Sequence, residues 1–350
     1  MKTLFLKIKG VVFRLLKKVL SVLFLLCVLL YATMARKRIV IIASPAGNLG
    51  NRLFLFSNVI GFAIENRFEV MNFAFYEYAE CFKTTRNDLF CRFPPRPCVF
   101  HKHGPLQGKL FLSLVSATAA LVKRMGKNRF VRSYDLEKID HCLNLDNKIF
   151  IEALKGVKVI LLQGWLFLDH ENMIKHANEI RRYFEPSDNY RDLIDSPINM
   201  LRKSCNVIVG VVIRRGAYQW WCDGRYFFSI ETYVKWMHEI VGLFPEKQVG
   251  LFICSDEILN SEDFSDLTFI FRAGHDLENR YSLGMCDYIM SAPSTYGGWA
   301  AFYGDVPIII ISDSRQSISL ADLRKIQNHT DLRDSTFPQD VDVTAEMSAV

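Results

Sequence analysis

The stretch Val207 to Ile213 (V-I-V-G-V-V-I) contains no polar side chain, and this constrains the fold more than any other feature of the chain. A strand with one wet face alternates polar and apolar residues. A strand that does not alternate is buried on both faces, as in a parallel sheet covered by helices. Comparable runs stand at 248–254, 267–271, 287–291 and 306–312. Helical periods separate them at 229–243, 276–285 and 295–303. Strand-length and helix-length periods in alternation predict a doubly wound α/β domain beginning near Cys205.

The first half opens in the same way. Arg38 to Ser44 (R-I-V-I-I-A-S) reads as a parallel strand running into Pro-Ala-Gly-Asn-Leu-Gly-Asn-Arg. A helix through Leu53, Phe54, Val59, Ile60 and Ile64 comes next. Residues 81–108 are loop-like, 109–124 helical, 158–162 a further strand, and 169–203 two helices. The expected organisation is a membrane segment over 1–37, a Rossmann-like domain over 38–204, a second over 205–325, and a polar tail over 326–350. Two such domains are expected to face a cleft, where small molecules commonly bind.

Charge is distributed unevenly. The net charge is +6, yet the first 38 residues carry nine basic and no acidic side chains, leaving the body at −3. A weakly acidic body without a basic tract argues against nucleic-acid binding. Val19 to Ala35 is an uncharged, mostly apolar run of 17 residues between Lys17–Lys18 and Arg36–Lys37–Arg38. As a helix it rises ~25 Å, the lower limit for crossing a bilayer. Residues 1–18 mix apolar residues with lysines, as an interfacial helix does. Association with a membrane is expected, either single-pass or interfacial; a secretory signal is the rival reading, and a buried soluble helix is a third that the basic flanks disfavour. The nine cysteines include no C-x-x-C pair and show no zinc-ligand spacing. Cys81, Cys91 and Cys98 lie in a polar, proline-containing stretch where pairing is open.

Three segments can carry chemistry. Arg214 and Arg215 end the Val207–Ile213 strand, with Gly216 and Tyr218 just beyond them. The carboxyl end of such a strand opens into the ligand crevice of an α/β sheet, and paired guanidinium forks there suit a phosphate. Two surface arginines at a solvated strand end is the alternative. Ser255, Asp256 and Glu257 close the next strand, either capping the helix after it or accepting hydrogen bonds from a nucleoside. Ser294 and Thr295 open the 295–303 helix, where hydroxyls and amides can meet phosphate oxygens. In the first half, Asn48, Gly50 and Asn51 sit in the first strand-to-helix loop, which is neither G-x-G-x-x-G nor a P-loop. Dinucleotide oxidoreduction and ATP hydrolysis lose their main support. Asp340–Val341–Asp342, the one D-x-D, lies in the polar tail.

Taken in order, these segments resemble the inverting fucosyltransferase superfamily, most closely bacterial α-1,2-fucosyltransferase-like proteins of glycosyltransferase family eleven. The loop Gly47 to Phe54 resembles G-x-L-G-N-Q-x-F, with Arg52 for the glutamine. Val212 to Tyr218 (V-I-R-R-G-A-Y) resembles H-x-R-R-G-D-Y, and Ser294 to Trp299 resembles S-T-F-S-x-W. The resemblance spans roughly residues 38–312. It implies a GT-B fold whose second domain holds GDP-fucose, transfer with inversion to a hydroxyl of a glycan acceptor, a galactoside in α-1,2 linkage, and no metal cofactor. In that picture Arg214 neutralises the departing diphosphate while Arg215 orients the motif or binds nucleotide. Ser294 and Thr295 contact phosphate, and Ser255, Asp256 or Glu278 the nucleoside. Val212 and Ala217 replace the family's histidine and aspartate, touching a nucleoside contact and the hold on the arginine pair. No general base is evident, and Asp223 and Glu231 are the nearest downstream carboxylates. The alternatives are an inactive nucleotide-binding protein at the membrane and a transferase using another nucleotide sugar.

Overall fold

The continuous apolar runs become the central strands of two sheets in the computed structural model, which describes residues 2–96, 104–126, 128–137 and 142–324. The described residues divide into two compact units, 2–187 and 188–324.

In the first unit, helix α1 (Lys2–Met34) precedes β1 (Arg38–Ile42), α2 (Leu49–Asn66), β2 (Phe68–Asn72), β3 (Arg92–Phe93), α3 (Pro105–Met125) and β4 (Val131–Asp135). Then come β5 (Leu143–Asn144), α4 (Lys148–Ala153), β6 (Val159–Gln163), β7 (Phe167–Leu168), α5 (His170–Lys175) and α6 (Ala177–Tyr183). The main sheet has the order β3-β2-β1-β6-β4, with every pairing parallel except β2 with β3. β5 and β7 form a separate two-stranded ladder.

This sheet departs from the simple doubly wound expectation. No crossover helix lies between β2 and β3, so the two-residue β3 returns antiparallel at the edge. β2 and β4 are also absent from the sequence reading. F-E-V-M-N and V-R-S-Y-D carry charges that break the apolar runs, yet Glu69 and Ser133 are buried. The interval 169–203 holds three helices, because α6 ends at Tyr183 and Pro186–Ser187 start a new segment.

Helix α1 is part of the first unit's core. Leu25, Val28 and Ala32 are buried with Ile39 and Ile41 of β1, Val159 of β6, and Val115 and Ala119 of α3. Its C-terminal turn is tied down by charge: the Tyr31 hydroxyl donates to Glu69 at 3.0 Å, and Lys37 lies 3.2 Å from the same carboxylate. Arg96 completes the set around Glu69. A buried carboxylate requires such partners.

The second unit contains α7 (Arg191–Arg202), β8 (Val207–Ile213), α8 (Ile230–Gly242), β9 (Val249–Ser255), β10 (Phe269–Ala273), α9 (Asp276–Leu283), β11 (Tyr288–Ser291), α10 (Thr295–Gly304) and β12 (Ile308–Ile310). All five strands are parallel in the order β10-β9-β8-β11-β12. Counted from β8 this is 3-2-1-4-5, the doubly wound order whose switch point falls between the first and fourth strands. Helix α7, expected in the first domain, packs on this sheet. Arg202 reaches Asp287 with two nitrogens at 2.7 and 2.8 Å, and Asp287 also accepts from the Ile208 amide.

Cys91 is a free thiol, whereas Cys98 and Asp340–Asp342 lie outside the described residues.

Two stability measurements test this packing. Leu25 is 8% exposed and Leu26 is 55% exposed. Leu25→Ala should cost about 2–5 kcal/mol in a denaturant melt of the full chain, and Leu26→Ala under about 0.5. A free-standing anchor would make the two variants equal. Separately, burial raises the carboxyl of Asp169, the α5 cap, from 3.8 to about 6. The folded state therefore holds this proton more tightly, and stability should fall by roughly 2 kcal/mol as pH rises from 4 to 6. Asp169→Asn should remove that part of the pH dependence.

Candidate functional site

Register between neighbouring strands builds the site. β8 and β9 pair in parallel with Ile213 opposite Ser255, so Arg214–Arg215 and Asp256–Glu257 leave the sheet side by side. Asp256 holds the β8 loop by three contacts. One oxygen accepts from the Arg215 amide at 3.0 Å and the Gly216 amide at 3.3 Å, and the other lies 3.3 Å from Arg214 Nε. Gly216 makes this approach possible, since a Cβ there would stand 3.2 Å from the Asp256 carboxylate.

The two arginines have different duties. Arg215 Nε lies 2.6 Å from Glu257, its Nη1 donates to the Phe228 carbonyl at 3.2 Å, and its guanidinium covers the Phe227 ring. These contacts brace the loop. Arg214 is three-quarters buried at the side chain, and among the described contacts neither of its Nη groups is taken. Its guanidinium carbon sits between two rings, 5.6 Å from Tyr218 and 5.7 Å from Tyr296. Aromatic flanks fix a cation without consuming its N–H donors. Arg214 is thus aimed and still able to donate.

The second half of the site comes from β11, the other neighbour of β8, whose Ser291 lies opposite Val212. Tyr218 joins the two loops, because its hydroxyl donates to the Pro293 carbonyl at 2.5 Å. Burial raises the phenol of Tyr218, which keeps it a donor. Ser294 caps α10, its hydroxyl accepting from the Tyr296 amide at 3.0 Å. Arg214, Tyr218, Ser294 and Thr295 therefore gather at the β8/β11 switch point, as their places at carboxyl strand ends predicted.

Sequence reasoning missed Arg280. It is 2% exposed, donates to the carbonyls of Thr295 and Tyr296 at 3.1 and 3.5 Å, pairs with Asp276 at 2.7 Å, and covers the Tyr296 ring at 4.3 Å. It braces the α10 entry from behind. Its only signal was the Asp276…Arg280 spacing of four on a helix, which usually marks a surface pair.

The other candidates fall into less central places. Ser255 accepts from the Glu257 amide at 3.1 Å, a local turn. Glu278 lies on α9 with His275 Nδ1 at 3.5 Å. Asp223 is exposed on a left-handed turn with φ 54°. Glu231 sits in the first turn of α8, and its carboxyl is lowered chiefly by the Ser229 hydroxyl, with Arg215 adding. That direction makes Glu231 a weaker base. Val212 is buried in β8, and the arginine pair is braced by Asp256 and Glu257 from the neighbouring strand. A polar groove of about 510 Å³ opens nearby, lined by Arg225, Ser229, Thr232, Ser312 and Ser314 among others.

In the first unit, Asn48 begins α2 without a side-chain cap, and Gly50 is buried in its first turn. Gly47 has φ 57°, and a Cβ there would strike Asn51 at 2.4 Å. Arg52 fixes this loop, donating to the carbonyls of Gly47 and Ala74 at 3.1 and 2.8 Å. The loop leaves the end of β1, whose two neighbours are β2 and β6.

No family model and no curated protein sequence matches the chain. Several solved structures are similar to it. A mutant of Arabidopsis thaliana FUT1 in complex with GDP has a TM-score of 0.47 at 13% identity, covering 83% of this chain and 74% of that one. POFUT1 in complex with GDP-fucose has a TM-score of 0.46 at 11% identity, covering 77% and 94%. The fucosyltransferase NodZ from Bradyrhizobium has a TM-score of 0.45 at 14% identity, covering 83% and 99%.

The brace makes a specific prediction. Asp256→Asn keeps an oxygen for the Arg215 and Gly216 amides, whereas Asp256→Ala leaves both without it. In thermal melts the alanine variant should be the less stable by about 1–3 kcal/mol.

Proposed function

We propose that the chain is a glycosyltransferase of GT-B type that moves fucose from GDP-fucose to a hydroxyl of a glycan acceptor, with inversion. The observation that carries this reading is Arg214 at the β8/β11 switch point, held by Asp256 and two tyrosines with its Nη donors uncommitted. Such a group suits a leaving diphosphate, because a fixed cation stabilises charge as it develops and needs no reorganisation during the step. The fucose donor, the galactoside acceptor and the α-1,2 linkage come from the motif resemblance over residues 38–312.

In this mechanism the acceptor oxygen attacks the anomeric carbon of fucose and the bond from that carbon to the β-phosphate oxygen breaks. GDP leaves with the bonding pair, and the acceptor proton passes to a base. Arg214 meets the new charge on the diphosphate. The capped entry of α10 offers the same phosphates a helix N-terminus. Arg215 serves by positioning Arg214 through the shared Asp256–Glu257 edge. Asp223 and Glu231 are the carboxylates considered for the base, and Glu231 is biased toward its ionised form chiefly by the Ser229 hydroxyl. A transition state resembling an oxocarbenium ion asks little of that base. The guanidinium takes the place a divalent cation holds in other transferases, so no metal is required.

The first unit, through the Asn48–Asn51 loop, would serve the acceptor, and α1 would hold the enzyme at a membrane. The substrates are a nucleotide sugar and a glycan, and nucleic acid is not among the partners.

Incubating the purified protein with GDP- and UDP-sugars, with and without EDTA, tests the reading. Transfer should be seen with GDP-fucose and persist in EDTA. Arg214→Ala and Arg214→Lys should each lose at least about 10²-fold in turnover while keeping the wild-type melting temperature. Near-normal turnover in Arg214→Ala would overturn the mechanism.

A further inference from the structure

Helix α1 uses its apolar run twice, and this decides how it meets a membrane. Resting on the proposal that α1 holds the enzyme at a membrane, we propose that α1 lies along the surface of an anionic bilayer and does not cross it. By length and composition alone the segment Leu15–Met34 of α1 could cross a membrane, so its packing decides. Its inward face, Ser21, Leu25, Val28 and Ala32, is buried in the first unit. Tyr31 is bonded to Glu69 of β2, and the Thr118 hydroxyl of α3 faces the Ser21 carbonyl at 3.5 Å. Crossing a bilayer would strip this face from the core and leave Glu69 short of a buried partner. The hydrophobic gain of insertion would have to exceed both losses.

The opposite face remains apolar and open. Leu16, Leu20, Leu23, Leu26, Leu30 and Met34 are between 44% and 76% exposed. Helix α3, packed beside α1, adds exposed Leu106, Leu110 and Met125. An unpartnered apolar stripe on a helix whose other face is occupied is the form of an interfacial anchor.

Charge selects the kind of surface. A groove of about 530 Å³ between α1 and α3 is lined by Lys17, Lys18 and Arg124 together with Leu15, Ala117 and Leu121, with no carboxylate among the described residues that line it. Three cations above an apolar floor suit the phosphate headgroup and upper acyl chain of an anionic phospholipid. The acid-free basic N-terminus adds to the same attraction.

Two measurements on the full chain test this. In sealed membrane vesicles from expressing cells, epitope tags at the two termini should be cut by protease from the same side. Tags on opposite sides would show a spanning helix and overturn the inference while leaving membrane association intact. In flotation assays the purified chain should bind vesicles with about 30% phosphatidylserine far better than pure phosphatidylcholine. The K17A/K18A/R124A variant should bind the anionic vesicles on the order of a hundredfold more weakly, with an unchanged melting temperature. Equal binding by variant and wild type would overturn the headgroup assignment. Absence of binding to either vesicle, with a dimer in sedimentation, would assign the apolar stripe to a second copy and remove the membrane reading as well.

Discussion

The geometry of the arginine loop in the second unit depends on one carboxylate. Asp256 accepts from two backbone amides of the neighbouring loop and faces Arg214 at 3.3 Å, so the geometry of the loop and the aim of the cation are set together. The parallel register of β8 with β9 delivers it there, and Gly216 leaves the room it needs. Without that brace, an arginine at a strand end is a solvated side chain with many rotamers. With it, the guanidinium is held between Tyr218 and Tyr296 before any ligand arrives. Preorganisation of this kind is what allows a charge to act in a transition state.

The same residues explain how the arginines are braced although Ala217 offers no carboxylate beside them. Carboxylates one strand away, Asp256 and Glu257, hold them. Arg280 extends the logic behind the α10 entry, fixing the carbonyls of Thr295 and Tyr296 from a buried position. The rings and guanidinium groups form a continuous arrangement from Asp276 through Arg280, Tyr296 and Arg214 to Asp256.

Much of the second unit was legible because its strands are buried on both faces. V-I-V-G-V-V-I admits one reading, and the strand limits match residue for residue. The convergence of Arg214 with Ser294 and Thr295 came from parallel topology alone. The first unit was harder to read, because β2 and β4 contain Glu69, Arg132 and Asp135, charges that interrupt the apolar pattern of a buried strand. Arg280 stayed hidden for a related reason, since an i, i+4 ion pair on a helix carries no mark of burial. Helix α1 was the sharpest case. Its apolar run advertises a membrane, but only the tertiary structure shows that one face of it packs with Ile39, Val115 and Val159.

We propose that Arg214, held between Tyr218 and Tyr296, clamps the donor's diphosphate. Calorimetric titration of wild type and Arg214→Ala with GDP and with guanosine tests it most directly. The account predicts that GDP binds wild type at least about tenfold more tightly than guanosine, and that this advantage collapses in Arg214→Ala while guanosine affinity is unchanged. An undiminished preference for GDP in the variant would contradict it.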